Sequence, residues 1–80
     1  MKVKIVPDKR IKGYWGMNPR ASKELGEKCP KNTILVAKSA SKLMRKRTIA
    51  HEKIEYYHMG RGLKYKKAHR IAEAFDKRIK

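Results

Sequence analysis

The chain has 80 residues, of which 23 are Lys or Arg and 7 are Asp or Glu, so its formal charge is +16, and its hydrophobic fraction is 40%. This length leaves room for one small core, and we expect a single domain over residues 1–80. The single cysteine excludes an internal disulfide and a cysteine-rich zinc finger. No apolar run approaches the length of a membrane span.

The excess of basic residues predicts a polyanionic partner. A small domain needs a net charge of only about 2–8 for solubility, and this chain carries +16. The basic residues are spread over the whole chain, which is unlike a disordered basic tail. The N-terminus alternates Lys with apolar residues and has no signal-peptide block, so we expect a cytoplasmic protein without a membrane partner.

The first part of the chain predicts one or two strands. Met1 to Val6 alternates Lys with apolar side chains, which is the period of a half-buried strand, and Pro7 ends it. Ile11 to Met17 is either a short strand or an aromatic loop, with Tyr14 and Trp15 between two glycines. Trp15 then either covers the core or offers a stacking platform for an unpaired base.

A short helix and a buried strand follow. Asn18 is placed to cap a helix that has Pro19 in its first position, and Ala21 to Leu25 continue it. Gly26 closes this helix. Thr33 to Ala37 is β-branched and apolar throughout, which predicts the most buried strand.

The second half of the chain predicts two helices. One runs from about Ser41 to Met59 and ends at Gly60-Arg61-Gly62, and the other fills about Lys64 to Arg78. The apolar stripe of the first helix comprises Leu43, Ala50, Ile54 and Tyr57. That of the second comprises Ala68, Ile71, Ala72, Phe75 and Ile79. The predicted fold is α+β, with two or three short strands followed by an antiparallel helical hairpin.

The first long helix carries the residues best suited to bind a metal. His51 and Glu55 are spaced i, i+4, so they project from one helix face and can hold one ion, while Glu52 between them can polarise a bound water. A third ligand is either His69, brought back by the last helix, or His58, one turn further on. Our first interpretation is nevertheless that these histidines are structural and that no cofactor is bound, and bound zinc is the alternative.

Two segments resemble a known family. The run from Arg47 to Glu55, with the run from Gly62 to Ala72, resembles small zincin-type metallopeptidase-related proteins of phages and archaea. The resemblance covers roughly residues 33–75. It implies a minimal zincin-like fold with zinc ligands at His51 and Glu55 and a catalytic base at Glu52. The zinc-peptidase motif His-Glu-x-x-His has its second histidine at the position that Glu55 occupies in this chain.

The charge favours nucleic-acid binding over catalysis. The distributed basic residues resemble the composition of small ribosomal proteins, so we expect first a monomer that binds structured RNA on the ribosome. A zinc-dependent metallopeptidase and an archaeal or viral DNA-binding protein are the alternatives. We expect the nucleic-acid contacts to come from basic residues and two aromatics: Lys9, Arg10, Lys12, Tyr14, Trp15, Arg20, Arg45, Lys46, Arg47, Lys64, Lys66 and Lys67.

Overall fold

The computed structural model describes residues 1–76 of the chain. The strands are β1 (Lys2–Val6), β2 (Gly16–Met17) and β3 (Thr33–Ala37), and the helices are α1 (Pro19–Leu25), α2 (Lys42–Gly60) and α3 (Tyr65–Asp76), with a 3-10 turn at Asp8–Ile11. The predicted α+β class is confirmed. The parts of the last-helix prediction that concern Arg78 and Ile79 lie outside the described residues.

The three strands form one sheet in the order β1-β3-β2. Strand β1 pairs with β3 in parallel, and β2 pairs with β3 antiparallel. All five residues of the central strand β3 are buried, as predicted. The half-buried pattern predicted for β1 is wrong, because Val3 and Ile5 of this edge strand are 43% and 42% exposed and only Val6 is buried.

Alternate side chains of β3 build a core on each face of the sheet. Leu35 and Ala37 pack with side chains from the N-terminal segment, namely Val6, Ile11 and Met17. Ile34 and Val36 point the other way and pack with Ala40, Met44 and Ile49. Helix α2 therefore lies against one face of the sheet, and its position is fixed by the apolar period of β3.

Helix α1 begins and ends where the sequence predicted. The Asn18 side-chain oxygen accepts hydrogen bonds from the backbone N–H groups of Arg20 and Ala21 at 3.1 and 2.9 Å. Gly26 ends the helix with a φ of 74°, a left-handed conformation that glycine adopts without strain. The Asn18 cap thus fixes one end of a helix that packs against α2.

The buried face of α2 is acidic, which the sequence did not predict. Leu43 and Tyr57 of the predicted apolar stripe are 47% and 56% exposed, whereas the buried residues of this helix are Glu52 and Glu55. The helix ends at Gly60 and is capped by Arg61, within the predicted segment Gly60-Arg61-Gly62.

Helices α2 and α3 form the predicted antiparallel hairpin. His51, in the middle of α2, reaches Asp76 at the end of the described part of α3, and Glu55, one turn later in α2, contacts His69 in the first half of α3. None of the helices in residues 1–76 combines the length and apolarity needed to cross a bilayer.

Candidate metal centre

Three side chains from the helical hairpin converge on one point. His51 Nε2 lies 3.2 Å from Glu55 Oε2 and 3.3 Å from His69 Nδ1, and His69 Nδ1 lies 2.8 Å from the same Glu55 oxygen. His51 and Glu55 share a face of α2 because they are four residues apart. The antiparallel register of α3 brings His69 to that face. The predicted set of His51, Glu55 and His69 is therefore assembled.

The separations suit a tetrahedral zinc ion. With zinc–nitrogen and zinc–oxygen bonds of about 2.0–2.1 Å, two ligand atoms of a tetrahedral site lie about 3.3 Å apart. Two of the three distances observed here, 3.2 and 3.3 Å, match this edge, and the third, between His69 Nδ1 and Glu55 Oε2, is shorter at 2.8 Å. Two histidines and one glutamate form one of the ligand sets of catalytic zinc sites, in which the fourth position stays open. The residues present fit zinc.

Each of the two histidines has a carboxylate on its other ring nitrogen. His51 Nδ1 lies 2.6 Å from Asp76 Oδ2, and His69 Nε2 lies 3.2 Å from Glu73 Oε1. Such outer partners orient ligating imidazoles, fix their tautomers and raise their basicity in metal sites. Both Asp76 and Glu73 were missed by the sequence analysis. The i, i+4 spacing of His69 and Glu73 was the available signal for one of them.

The predicted alternative ligand His58 is not part of the cluster. Its ring lies edge-on to the Tyr57 ring, with 5.2 Å between ring centroids. On a helix, residues seven apart are separated by about two turns, or about 10 Å of rise. His51 and His58 therefore cannot share an ion together with Glu55, and His69 takes the third position.

The cluster is an acidic centre in a basic protein. Four of the seven acidic residues of the chain surround His51 and His69, and these are Glu52, Glu55, Glu73 and Asp76. Burial opposes protonation of His51, but hydrogen bonds with Glu55 and Asp76 outweigh burial and raise its pKa to about 9. Burial also opposes ionisation of Glu55, yet hydrogen bonds from His51 and His69 lower its pKa. The cluster thus favours bound positive charge.

Glu52 lies beside the cluster and is held by Asn18. The Asn18 Nδ2 group donates to Glu52 Oε1 at 2.9 Å and to Glu55 Oε1 at 3.1 Å. Burial and the nearby Glu55 carboxylate raise the pKa of Glu52 to about 7, although the Asn18 hydrogen bond and His51 act in the opposite direction. The sequence identified Asn18 only as a helix cap. Its second function needs a contact across 34 residues, which no local pattern reveals.

A cavity of about 380 Å³ opens onto the cluster. Tyr14 and Trp15 line it, and they remain 43% and 49% exposed, so the interpretation of Trp15 as a core cover is wrong. Tyr65 also lines it, with its hydroxyl 3.5 Å from His69 Nδ1. Burial, followed by the Glu55 charge, raises the pKa of Tyr65 to about 12, so this hydroxyl keeps its proton at neutral pH.

The predicted nucleic-acid residues are distributed over several segments of the fold. The cavity beside the cluster is lined by Tyr14, Trp15 and Arg47, whereas Arg20 lies against Tyr56 of α2. Several of the others are engaged locally: Arg10 donates to the Lys28 carbonyl, Arg45 to the Lys38 carbonyl, and Lys12 forms an ion pair with Glu27. The remaining predicted residues are exposed, one on the 3-10 turn, one on α2 and three around the start of α3, and these are Lys9, Lys46, Lys64, Lys66 and Lys67.

Comparison of the chain with protein-family models, with curated proteins and with solved structures finds no match in any of the three. The resemblance to zincin-type proteins therefore stays a prediction, made on residues 33–75.

Proposed function

We propose that this protein is a zinc-binding hydrolase. The observation that carries the proposal is the convergence of His51 Nε2, Glu55 Oε2 and His69 Nδ1 within 3.3 Å of one another, with a carboxylate behind each histidine. The net charge alone favours RNA binding. The geometry of the site supports the hydrolase more strongly, because each histidine contacts a carboxylate through its second ring nitrogen and a cavity adjoins the cluster. The sequence pattern predicted neither feature.

The residues around the site divide the work of an amide or ester hydrolysis. Zinc held there would supply Lewis acidity toward a water molecule and a substrate carbonyl. Glu52, with a pKa of about 7, is suited to accept the proton of the attacking water and pass it to the leaving group. The protonated Tyr65 hydroxyl can donate to a developing negative charge on the substrate. Tyr14 and Trp15 form an apolar wall against which a substrate can pack.

The test combines metal analysis with hydrolysis. Protein purified without chelator should hold one zinc per chain and cleave a denatured protein substrate, with chelation abolishing cleavage. Glu52→Gln should keep the zinc and lose cleavage, because the amide cannot accept the proton. His58→Ala is the matched control and should keep both. Protein without stoichiometric zinc would refute the proposal, and zinc without cleavage would refute the hydrolase part only.

A second candidate function, nucleic-acid binding, is favoured by a separate observation. Within residues 1–76, Lys12 is the one Lys or Arg that forms an ion pair with a carboxylate, although the chain carries +16. The basic side chains are therefore largely free to meet phosphates. We propose structured RNA, most simply on the ribosome, as the partner. Duplex DNA is the alternative.

Cosedimentation with ribosomal subunits and retention on duplex DNA, each over a salt series, separate these partners. Binding to subunits should persist to higher salt than binding to duplex DNA. Glu52→Gln should change neither, because a carboxylate gains nothing from a phosphate. Release from subunits at modest salt while duplex DNA still holds the protein would overturn the RNA proposal.

A further inference from the structure

An open groove on the outer side of α2 combines cations with aromatic rings. It shares no lining residue with the cavity beside the cluster. The groove is lined by Arg20, Lys53, Tyr56, Tyr57, Gly60 and Arg61, together with Met1. Its cations come from three places in the sequence, namely the first turn of α1, the middle of α2 and the residue after α2. The residues predicted to contact nucleic acid did not include Lys53, Tyr56, Tyr57 or Arg61.

Arg20 is held in place but keeps most of its donors. Its guanidinium carbon lies 3.8 Å from the Tyr56 ring centroid, and its Nη1 donates to the Tyr56 carbonyl at 2.8 Å. A guanidinium has five N–H donors, and the bond to Tyr56 is the one that the Arg20 side chain donates within residues 1–76, so the remaining donors can bind a phosphate. The stacking fixes the plane of the group in advance and lowers the entropy lost on binding.

Gly60 provides the space that this arrangement needs. A Cβ atom added at Gly60 would collide with the Arg20 guanidinium. The residue lies in the last turn of α2 and is not among the glycines with positive φ, so its backbone would accept alanine. The glycine therefore permits the close approach of Arg20 and is not required by the backbone conformation.

Tyr57 offers an exposed aromatic face next to a second arginine. The side chain is 56% exposed. Arg61 donates from Nη1 to the Tyr57 hydroxyl at 3.2 Å, and its guanidinium carbon lies 5.8 Å from the ring centroid. No carboxylate in residues 1–76 forms an ion pair with Arg20, Lys53 or Arg61. The groove is thus positively charged and has a stacking surface beside it.

We infer that this groove binds an unpaired stretch of nucleic acid, with one base stacked on Tyr57 and the phosphates held by Arg20, Lys53 and Arg61. The inference rests on the second proposed function and is independent of the metal centre. Aromatic rings stack on any base, but a duplex keeps its bases inside. A purely electrostatic surface would prefer the duplex, because its charge density is higher. A preference for single strands is therefore the signature of this groove.

Fluorescence anisotropy with a labelled oligonucleotide of about 12 nucleotides, as a single strand and as a duplex, tests the inference over a salt series. The single strand should bind more tightly. Arg20/Lys53/Arg61→Gln should reduce the salt slope by about 2, because each phosphate contact on a single strand contributes about 0.7. The matched control is Lys4/Lys38/Lys42→Gln, which removes the same charge from exposed sites elsewhere and should keep the slope.

Three single substitutions at two positions test the groove without changing its charge. Tyr57→Ala should weaken single-strand binding about tenfold, and Tyr57→Phe should restore most of it, since the ring provides the stacking. Gly60→Ala should weaken binding by displacing Arg20 while the melting temperature stays the same or rises, because alanine favours the helix.

The contradicting outcomes are distinct. Equal loss of binding in both triple variants would show that net charge alone binds the strand, and tighter binding of the duplex would exclude the stacking surface. Either result overturns the groove while leaving nucleic-acid binding intact. Binding to neither oligonucleotide would overturn the nucleic-acid function itself together with the groove.

Discussion

The two sides of α2 have opposite electrostatic character. The inner side presents His51, Glu52 and Glu55 to α3 and to Asn18, and the carboxylates of Glu73 and Asp76 close the cluster. The outer side carries Lys53 and lies against Arg20 and Arg61 with no carboxylate paired to them in residues 1–76. One helix thus separates a site suited to a cation from a surface suited to an anion. The net charge of the chain indicates only the surface suited to an anion.

Zinc binding should produce the largest difference between the two sides. At a free zinc concentration of 100 times Kd, the metal should stabilise the folded wild type by about 2.7 kcal/mol. Glu55→Ala removes the inner-side oxygen ligand and should lose this stabilisation, whereas Lys53→Ala on the outer side should keep it. Thermal unfolding with and without zinc measures both. Equal stabilisation of the two variants would place the metal elsewhere.

The carboxylates that contact the second ring nitrogens of the two histidines should tune the metal affinity. Asp76→Asn should weaken zinc binding by about 10- to 100-fold, the usual effect of losing a second-layer partner of a ligating histidine. Asp8→Asn is the control, because Asp8 bonds Ser39 far from the cluster. Competition with a chromophoric chelator gives both affinities. If Asp76→Asn kept the wild-type affinity, as Asp8→Asn should, Asp76 would not orient His51.

Asn18 connects the α1 cap with the acidic side of α2. Asn18→Ser keeps an oxygen for the cap but removes the amide donor to the two buried glutamates, so it should cost about 1–2 kcal/mol of unfolding free energy. Asn18→Asp should cost more, because it adds a third carboxylate. Urea unfolding of the metal-free proteins measures these differences. A stable Asn18→Asp variant would show that Glu52 and Glu55 do not depend on the donor.

The smallest effect expected is at the exposed Asp8. Hydrogen bonds from the Ser39 side chain and backbone lower the pKa of Asp8 from its ordinary value of 3.8. A lowered folded-state pKa contributes stability that is present above the unfolded pKa and is lost as pH falls through the folded one. Asp8→Asn should therefore melt slightly below wild type at neutral pH. The two melting temperatures should converge in acid, and a constant difference would contradict the assignment.

Local patterns predicted the parts of the fold that depend on local interactions. The Asn18 cap, Gly26 and the apolar run of β3 each act through neighbours in the sequence, and all three lie where predicted. The buried face of α2 could not be predicted in this way. An amphipathic pattern assigns glutamate to solvent, but Glu52 and Glu55 are 6% and 2% exposed because distant groups satisfy them.

The candidate site was predictable only as a set of alternatives. The i, i+4 spacing of His51 and Glu55 follows from helix geometry, so this pair needed no tertiary information. Helix rise alone argues against His58 as a ligand beside His51, but the approach of His69 depends on how α3 folds back on α2, and the spacing along the chain does not contain that register. Asp76 lies 25 residues from His51, and it becomes a partner only through the hairpin.

X-ray absorption at the zinc edge tests the central claim most directly. The wild-type protein loaded with one equivalent of zinc should show a first shell of nitrogen and oxygen at about 2.0–2.1 Å, with the outer-shell scattering of two imidazoles. His69→Ala should show one imidazole and weaker binding, and His58→Ala should match the wild type. A shell without imidazole scattering, or a loss of one imidazole in His58→Ala in place of His69→Ala, would contradict the assignment of His51, Glu55 and His69 as the zinc ligands.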